Sequence, residues 1–156
     1  MRTLTLIIVA TGLMAMTPAP EVDCCGIPSE RAVNMSEADW QAYTDRVFDA
    51  LTQPIFTDAA LRAVIQYGDR LAADRGDVIS LVRVYRDGEV LGHRRMAVIG
   101  INSLDDAWGI DFLSRSYQFE KDQVLKYTVA AVLADYNERH REGTVEVGPL
   151  NVVSPV

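Results

Sequence analysis

The sequence predicts an α+β domain: a helical hairpin, an antiparallel sheet of three to four strands, and a long C-terminal helix packed across that sheet. Three observations predict it. Two segments with apolar residues at helical spacing open the domain, a β-branched run with an Asp87-Gly88 turn follows, and a long amphipathic segment ends near Gly143. The order is α-α-β-β-β-α-β. It lacks the regular strand–helix alternation of a parallel sheet.

Residues 1–19 read as a signal peptide or membrane anchor. Arg2 is their only charge, and an apolar run extends from Leu4 to Met16. That run is shorter than the roughly 18–20 residues that span a bilayer. Small residues at Thr17 and Ala19, or at Ala15 and Thr17, suit a cleavage site, but Pro20 or Pro18 would then follow the cut, so an uncleaved anchor is the alternative. A buried element at the start of a cytosolic domain is the bland rival. Residues 20–34 read as a linker, with Pro20, Gly26 and Pro28 and no periodicity. The linker carries the only two cysteines, Cys24 and Cys25. Adjacent cysteines fit ordinary disulfide geometry poorly. Both are expected to be dispensable for folding.

Residues 35–156 read as one domain. Ser36 followed by Asp39 is a capping-box start, and Trp40, Tyr43, Val47, Phe48 and Leu51 recur at helical spacing. Thr57 or Asp58 starts a second helix with a stripe of Leu61, Val64, Ile65, Gly68, Leu71 and Ala72, and Gly76 is its expected stop. Residues 77–86 (DVISLVRVYR) and 89–101 (EVLGHRRMAVIGI) then form a predicted hairpin, with Val84 opposite Leu91, Val82 opposite His93 and Ser80 opposite Arg95. Residues 107–114 make a third strand. Residues 117–142 form a long helix whose Leu125, Val129, Val132, Leu133 and Tyr136 share a stripe facing the sheet. Residues 144–153 (TVEVGPLNVV), interrupted by Pro149, read as an edge strand.

The chain has 156 residues, 49% hydrophobic and 24% charged, so it suits a folded domain rather than a disordered one. Its net charge of −7 repels phosphate backbones, and its basic patches lack interleaved aromatics, which argues against nucleic-acid binding.

His93 is the first catalytic candidate, because imidazole can move protons near neutral pH. The hairpin register brings Ser80 close to it, and Asp111 could supply the orienting acid. No nucleophile-elbow motif surrounds Ser80. His140, beside Arg139 and Arg141, is accounted for by the favourable field at a helix C-terminus. Asp105, Asp106 and Asp111 lack the spacing of a calcium loop, and no histidine pair has zinc spacing. No metal and no cofactor is expected. The binding candidates are Trp108, Tyr117, Phe119 and Arg95. Tyr117 and Phe119 stand at a junction between elements, where grooves often form.

Two functions follow. The first is an exported module, periplasmic or extracellular, that binds another protein and touches a membrane only through residues 1–19, if these are retained. The alternative is a small exported hydrolase using His93 with Ser80 or a nearby acid.

Overall fold

Ser36 and Asp39 cap each other: the Asp39 amide donates to Ser36 Oγ at 3.2 Å, and the Ser36 amide donates to Asp39 Oδ2 at 3.1 Å. Helix α1, Glu37–Leu51, starts there as the sequence predicts. The computed structural model describes residues 25–26 and 34–141. Helix α2 runs Thr57–Tyr67, with Phe56 rather than Thr57 at its cap position. It ends at Gly68, short of Gly76.

From there the sheet gives way to helix. Residues 77–101, predicted as a hairpin, lie in α3 (Arg75–Asp87) and α4 (Leu91–Ser103). Residues 107–114, the predicted third strand, lie in α5 (Ala107–Ser116). A short 3-10 turn, Tyr117–Phe119, leads to α6 (Gln123–Arg141). Among the described residues there is no strand, so the α+β class and its antiparallel sheet are overturned. The predicted edge strand, residues 144–153, lies outside the described residues, as do residues 1–19 and Cys24.

Local chemistry accounts for the change. Asp74 and Asp77 form a second reciprocal cap, with amide-to-carboxylate distances of 3.0 and 2.9 Å. Gly76 therefore sits in the first turn of α3 instead of stopping α2. Val78, Leu81, Val82 and Tyr85 are buried at helical spacing along α3. Gly88 closes α3 in an extended conformation, φ −64° and ψ 133°, so the positive-φ hairpin turn does not form. Asp106 Oδ1 accepts from the Gly109 amide at 2.7 Å and starts α5.

The six α-helices of the described residues make three hairpins, α1–α2, α3–α4 and α5–α6, stacked side by side. Helices α2, α4 and α6 form one layer, and α1, α3 and α5 the other. The helices within the first layer run parallel. His93 near the start of α4 faces Asp58 at the start of α2, and Gly68 after α2 abuts Ser103 at the end of α4. Asn102 near the end of α4 bonds Asp135 in the last turns of α6. Helices α2, α4 and α6 begin at Thr57, Leu91 and Gln123, a step of about 33 residues, as in a short α-solenoid. No sequence repeat marks it.

Helix α4 is the hub. Ala97, Val98, Gly100 and Ile101 are buried, and α4 packs on α2, α3, α5 and α6. The α6 stripe of Leu125, Val129 and Val132 is buried as predicted, but against helices, with Leu133 and Tyr136 only half-buried.

Cys25 also joins the core. It is 4% exposed, and Tyr43 Oη donates to its carbonyl. This burial argues against the expectation that Cys25 is dispensable for folding. Cys25→Ser places a hydroxyl in this apolar setting and is expected to destabilise the fold by about 1–3 kcal/mol, read by urea denaturation under reducing conditions. An unchanged midpoint would show that the contact contributes nothing.

Candidate functional site

The parallel pairing of α4 and α6 leaves an open groove between them, of about 520 Å3. Helix α4 supplies Arg95, Ile99 and Asn102, spaced by three to four residues on its outer face. Helix α6 supplies Val124, Tyr127, Thr128, Ala131, Val132 and Asp135 from its facing side. Tyr127 is 74% exposed and Val124 43% exposed. Two large side chains, one aromatic and one aliphatic, are thus accessible along one groove.

Polar groups frame the groove. At one end Arg95 is exposed and pairs with no carboxylate among the described residues. At the other end Asp135 accepts from Asn102 Nδ2 at 2.7 Å and from Arg139 Nε at 3.1 Å. The Asn102 bond, aided by Arg139, holds the Asp135 carboxyl below the usual carboxylate range. Arg139 also reaches Asp105 at 2.6 Å and Asn102 Oδ1 at 2.7 Å. Asp105 has φ 54°, the left-handed region that short polar side chains tolerate. This cluster ties the α4–α5 turn to α6 and fixes the end of the groove.

A second cavity, of about 590 Å3, lies where α3, α4, α5 and the 3-10 turn meet. Glu120 is central to it, its side chain only 9% exposed. Glu120 Oε2 accepts from Tyr85 Oη at 3.1 Å and from Arg94 Nη2 at 3.4 Å, and Oε1 accepts from the Asp122 amide at 3.0 Å. Arg94 Nε donates to the Tyr85 carbonyl at 2.7 Å. The carboxylate is thus fully engaged in joining α3, α4 and the start of α6.

Burial, with the bond to Glu120, pushes the Tyr85 phenol up to about 12. Its folded value lies above the unfolded one of about 10, so the folded chain holds the proton more tightly between them. That contribution is complete below about pH 10 and is lost as the pH rises toward 12. The melting temperature is expected to fall over that window. In Tyr85→Phe the fall should flatten, and an equally steep fall would show that Tyr85 does not couple to folding.

The predicted catalytic residues stand on three helices. Ser80, on α3, donates its hydroxyl to the Gly76 carbonyl at 3.0 Å. His93, on α4, has Nε2 3.9 Å from Asp58 Oδ1. Asp111, on α5, pairs with Arg115. The hairpin register that placed Ser80 near His93 is absent together with the sheet.

Of the binding candidates, Arg95 lines the α4–α6 groove and Phe119 lines the second cavity. Tyr117 packs beneath Lys126, whose Nζ is 5.2 Å from the ring centre. Trp108 is half-buried, 6.0 Å from Phe112 and covered by Arg75 at 4.8 Å. Sequence reading missed Val124, Tyr127 and Ile99. Val124, Tyr127 and Ala131 do recur at helical spacing, on a different face from the buried stripe, and that second apolar face was the available signal.

Among the described residues no helix is long and apolar enough to cross a membrane, and no group of three or more His, Cys, Asp or Glu stands together to hold a metal. Comparison with protein-family models, with curated proteins and with solved structures returned no match.

Proposed function

We propose that the protein is an exported interaction module that binds an apolar segment of a partner protein in the α4–α6 groove. The observation that carries this reading is the exposure of Tyr127 and Val124 beside Ile99 and Val132 in one groove. Stacked helical hairpins commonly bind partners along the face of one helix layer. Val124, Tyr127 and Ala131 would supply contact area, with the tyrosine hydroxyl as a polar handle. Arg95 favours a partner that carries an acid at that end. The leader read in residues 1–19 supports export.

Photo-crosslinking in the source cell tests the reading. A benzophenone amino acid replaces Tyr127 in one full-length version and Gln41, exposed on α1, in another. The expected result is one dominant adduct of higher mass from the Tyr127 position alone. Equal or absent adducts at the two positions would reject the groove as a partner site.

A further inference from the structure

We propose that the second cavity, where α3, α4, α5 and the 3-10 turn meet, binds a small aromatic carboxylate. It shares no lining residue with the α4–α6 groove and does not depend on that groove's role. Its volume of about 590 Å3 falls within the roughly 300–1,000 Å3 of small-molecule sites.

Charge selects an acid. Arg86, Arg94 and Lys121 line the cavity against the carboxylates of Asp87, Glu120 and Asp122. The fold itself uses two of those carboxylates. Glu120 accepts from Tyr85, Arg94 and the Asp122 amide, and Asp122 Oδ1 accepts from the Leu125 amide at 3.0 Å, which caps the start of α6. The cations are less committed. Arg94 donates through Nε and Nη2, and its Nη1 has no acceptor among the described residues. Arg86 and Lys121 are exposed and pair with no carboxylate among the described residues. The groups left to meet a ligand are therefore mainly cationic, on a chain whose net charge is −7. The Glu120–Arg94 pair, with the Tyr85 carbonyl, fixes the Arg94 guanidinium in place. A nearly buried ion pair is weak evidence for stability, and here it pre-organises a donor for a carboxylate.

The cavity wall selects a ring. Phe119 is 74% exposed beside the cavity, and Phe112 is half-buried in its wall. Phe112 packs edge-on to the buried Tyr85, with 6.5 Å between ring centres. A ligand ring against Phe112 and Phe119 would gain the same kind of aromatic contact and cover Phe119.

Titration of the isotope-labelled full chain with phenylacetate tests the site through backbone amide shifts. The expected result is saturable shifts centred on Asp87, Phe112, Phe119 and Lys121, with a dissociation constant of about 1 mM or below. Phenylacetamide keeps the ring and loses the charge, and should bind about tenfold more weakly. Acetate keeps the charge and loses the ring, and should bind about fivefold more weakly or worse. An Arg86→Gln, Lys121→Gln double variant changes exposed side chains only. It should bind phenylacetate about tenfold more weakly at an unchanged melting temperature. No shifts at about 10 mM phenylacetate would overturn the proposal. Equal binding of phenylacetamide or of phenethylammonium would overturn the choice of an acid, and with it the proposal. Unchanged affinity in the double variant would do the same. Shifts centred on Ile99 and Tyr127 would place the ring in the α4–α6 groove and overturn the cavity as its site.

Discussion

Leu125→Asp is expected to abolish folding, and Leu125→Ala to lower stability by about 2–5 kcal/mol. Leu125 is 0% exposed and lies in the first turns of α6. It belongs to the central core with Val98 and Ile101 of α4 and Leu113 of α5. An aspartate there would bury a lone carboxylate among apolar neighbours. Leu133→Ala should lose less than about 2 kcal/mol, because Leu133 is only half-buried and leaves a smaller cavity. The two residues are equivalent members of one stripe in the sequence. At about 100° per residue Leu133 falls at the edge of the face that Leu125, Val129 and Val132 centre, which accounts for its lesser burial. Equal losses in paired urea titrations would show that α6 is rotated about its axis.

Gly68→Val should be nearly as damaging, and Gly68→Ala should lower stability by about 1–3 kcal/mol. Two effects oppose here. Alanine is the better helix former by about 1 kcal/mol. A Cβ on Gly68, however, would lie 2.5 Å from the Ser103 carbonyl oxygen and 2.6 Å from its carbon. Both are backbone atoms, so relief requires α2 and α4 to separate, and packing outweighs propensity. Gly100 is less constrained, because a Cβ there meets Val64 Cγ1 at 3.1 Å, a side chain that can move. A rise in melting temperature for Gly68→Ala would contradict the close α2–α4 crossing.

Helix α1 was legible because cap and stripe agreed, and α2 and α6 were legible by their stripes alone. Ser36 with Asp39 announced the start of α1, and Trp40, Tyr43, Val47, Phe48 and Leu51 marked its buried face. Residues 77–101 were misread because the β-branched content of DVISLVRVYR and the Asp87-Gly88 pair outweighed a helical signal also present. Val78, Leu81, Val82 and Tyr85 have helical spacing, and Asp74 with Asp77 repeats the cap chemistry of Ser36 with Asp39. β-propensity reflects packing context more than backbone preference, and here the context is a neighbouring helix on each side. Helix α4 was hardest to read, since its several packing partners blur any single stripe. The groove was legible only at Arg95. Tyr127 and Val124 became visible once α4 and α6 were placed side by side, which requires tertiary structure.

Proton NOE spectroscopy on the full chain tests that side-by-side placement most directly. The helical stack predicts Hα(i)–HN(i+3) contacts throughout Arg75–Asp87 and Leu91–Ser103, together with methyl contacts between Ile99 and Val132. A cross-strand Hα–Hα contact between Tyr85 and Val90, with no Ile99–Val132 contact, would restore the hairpin and remove the groove.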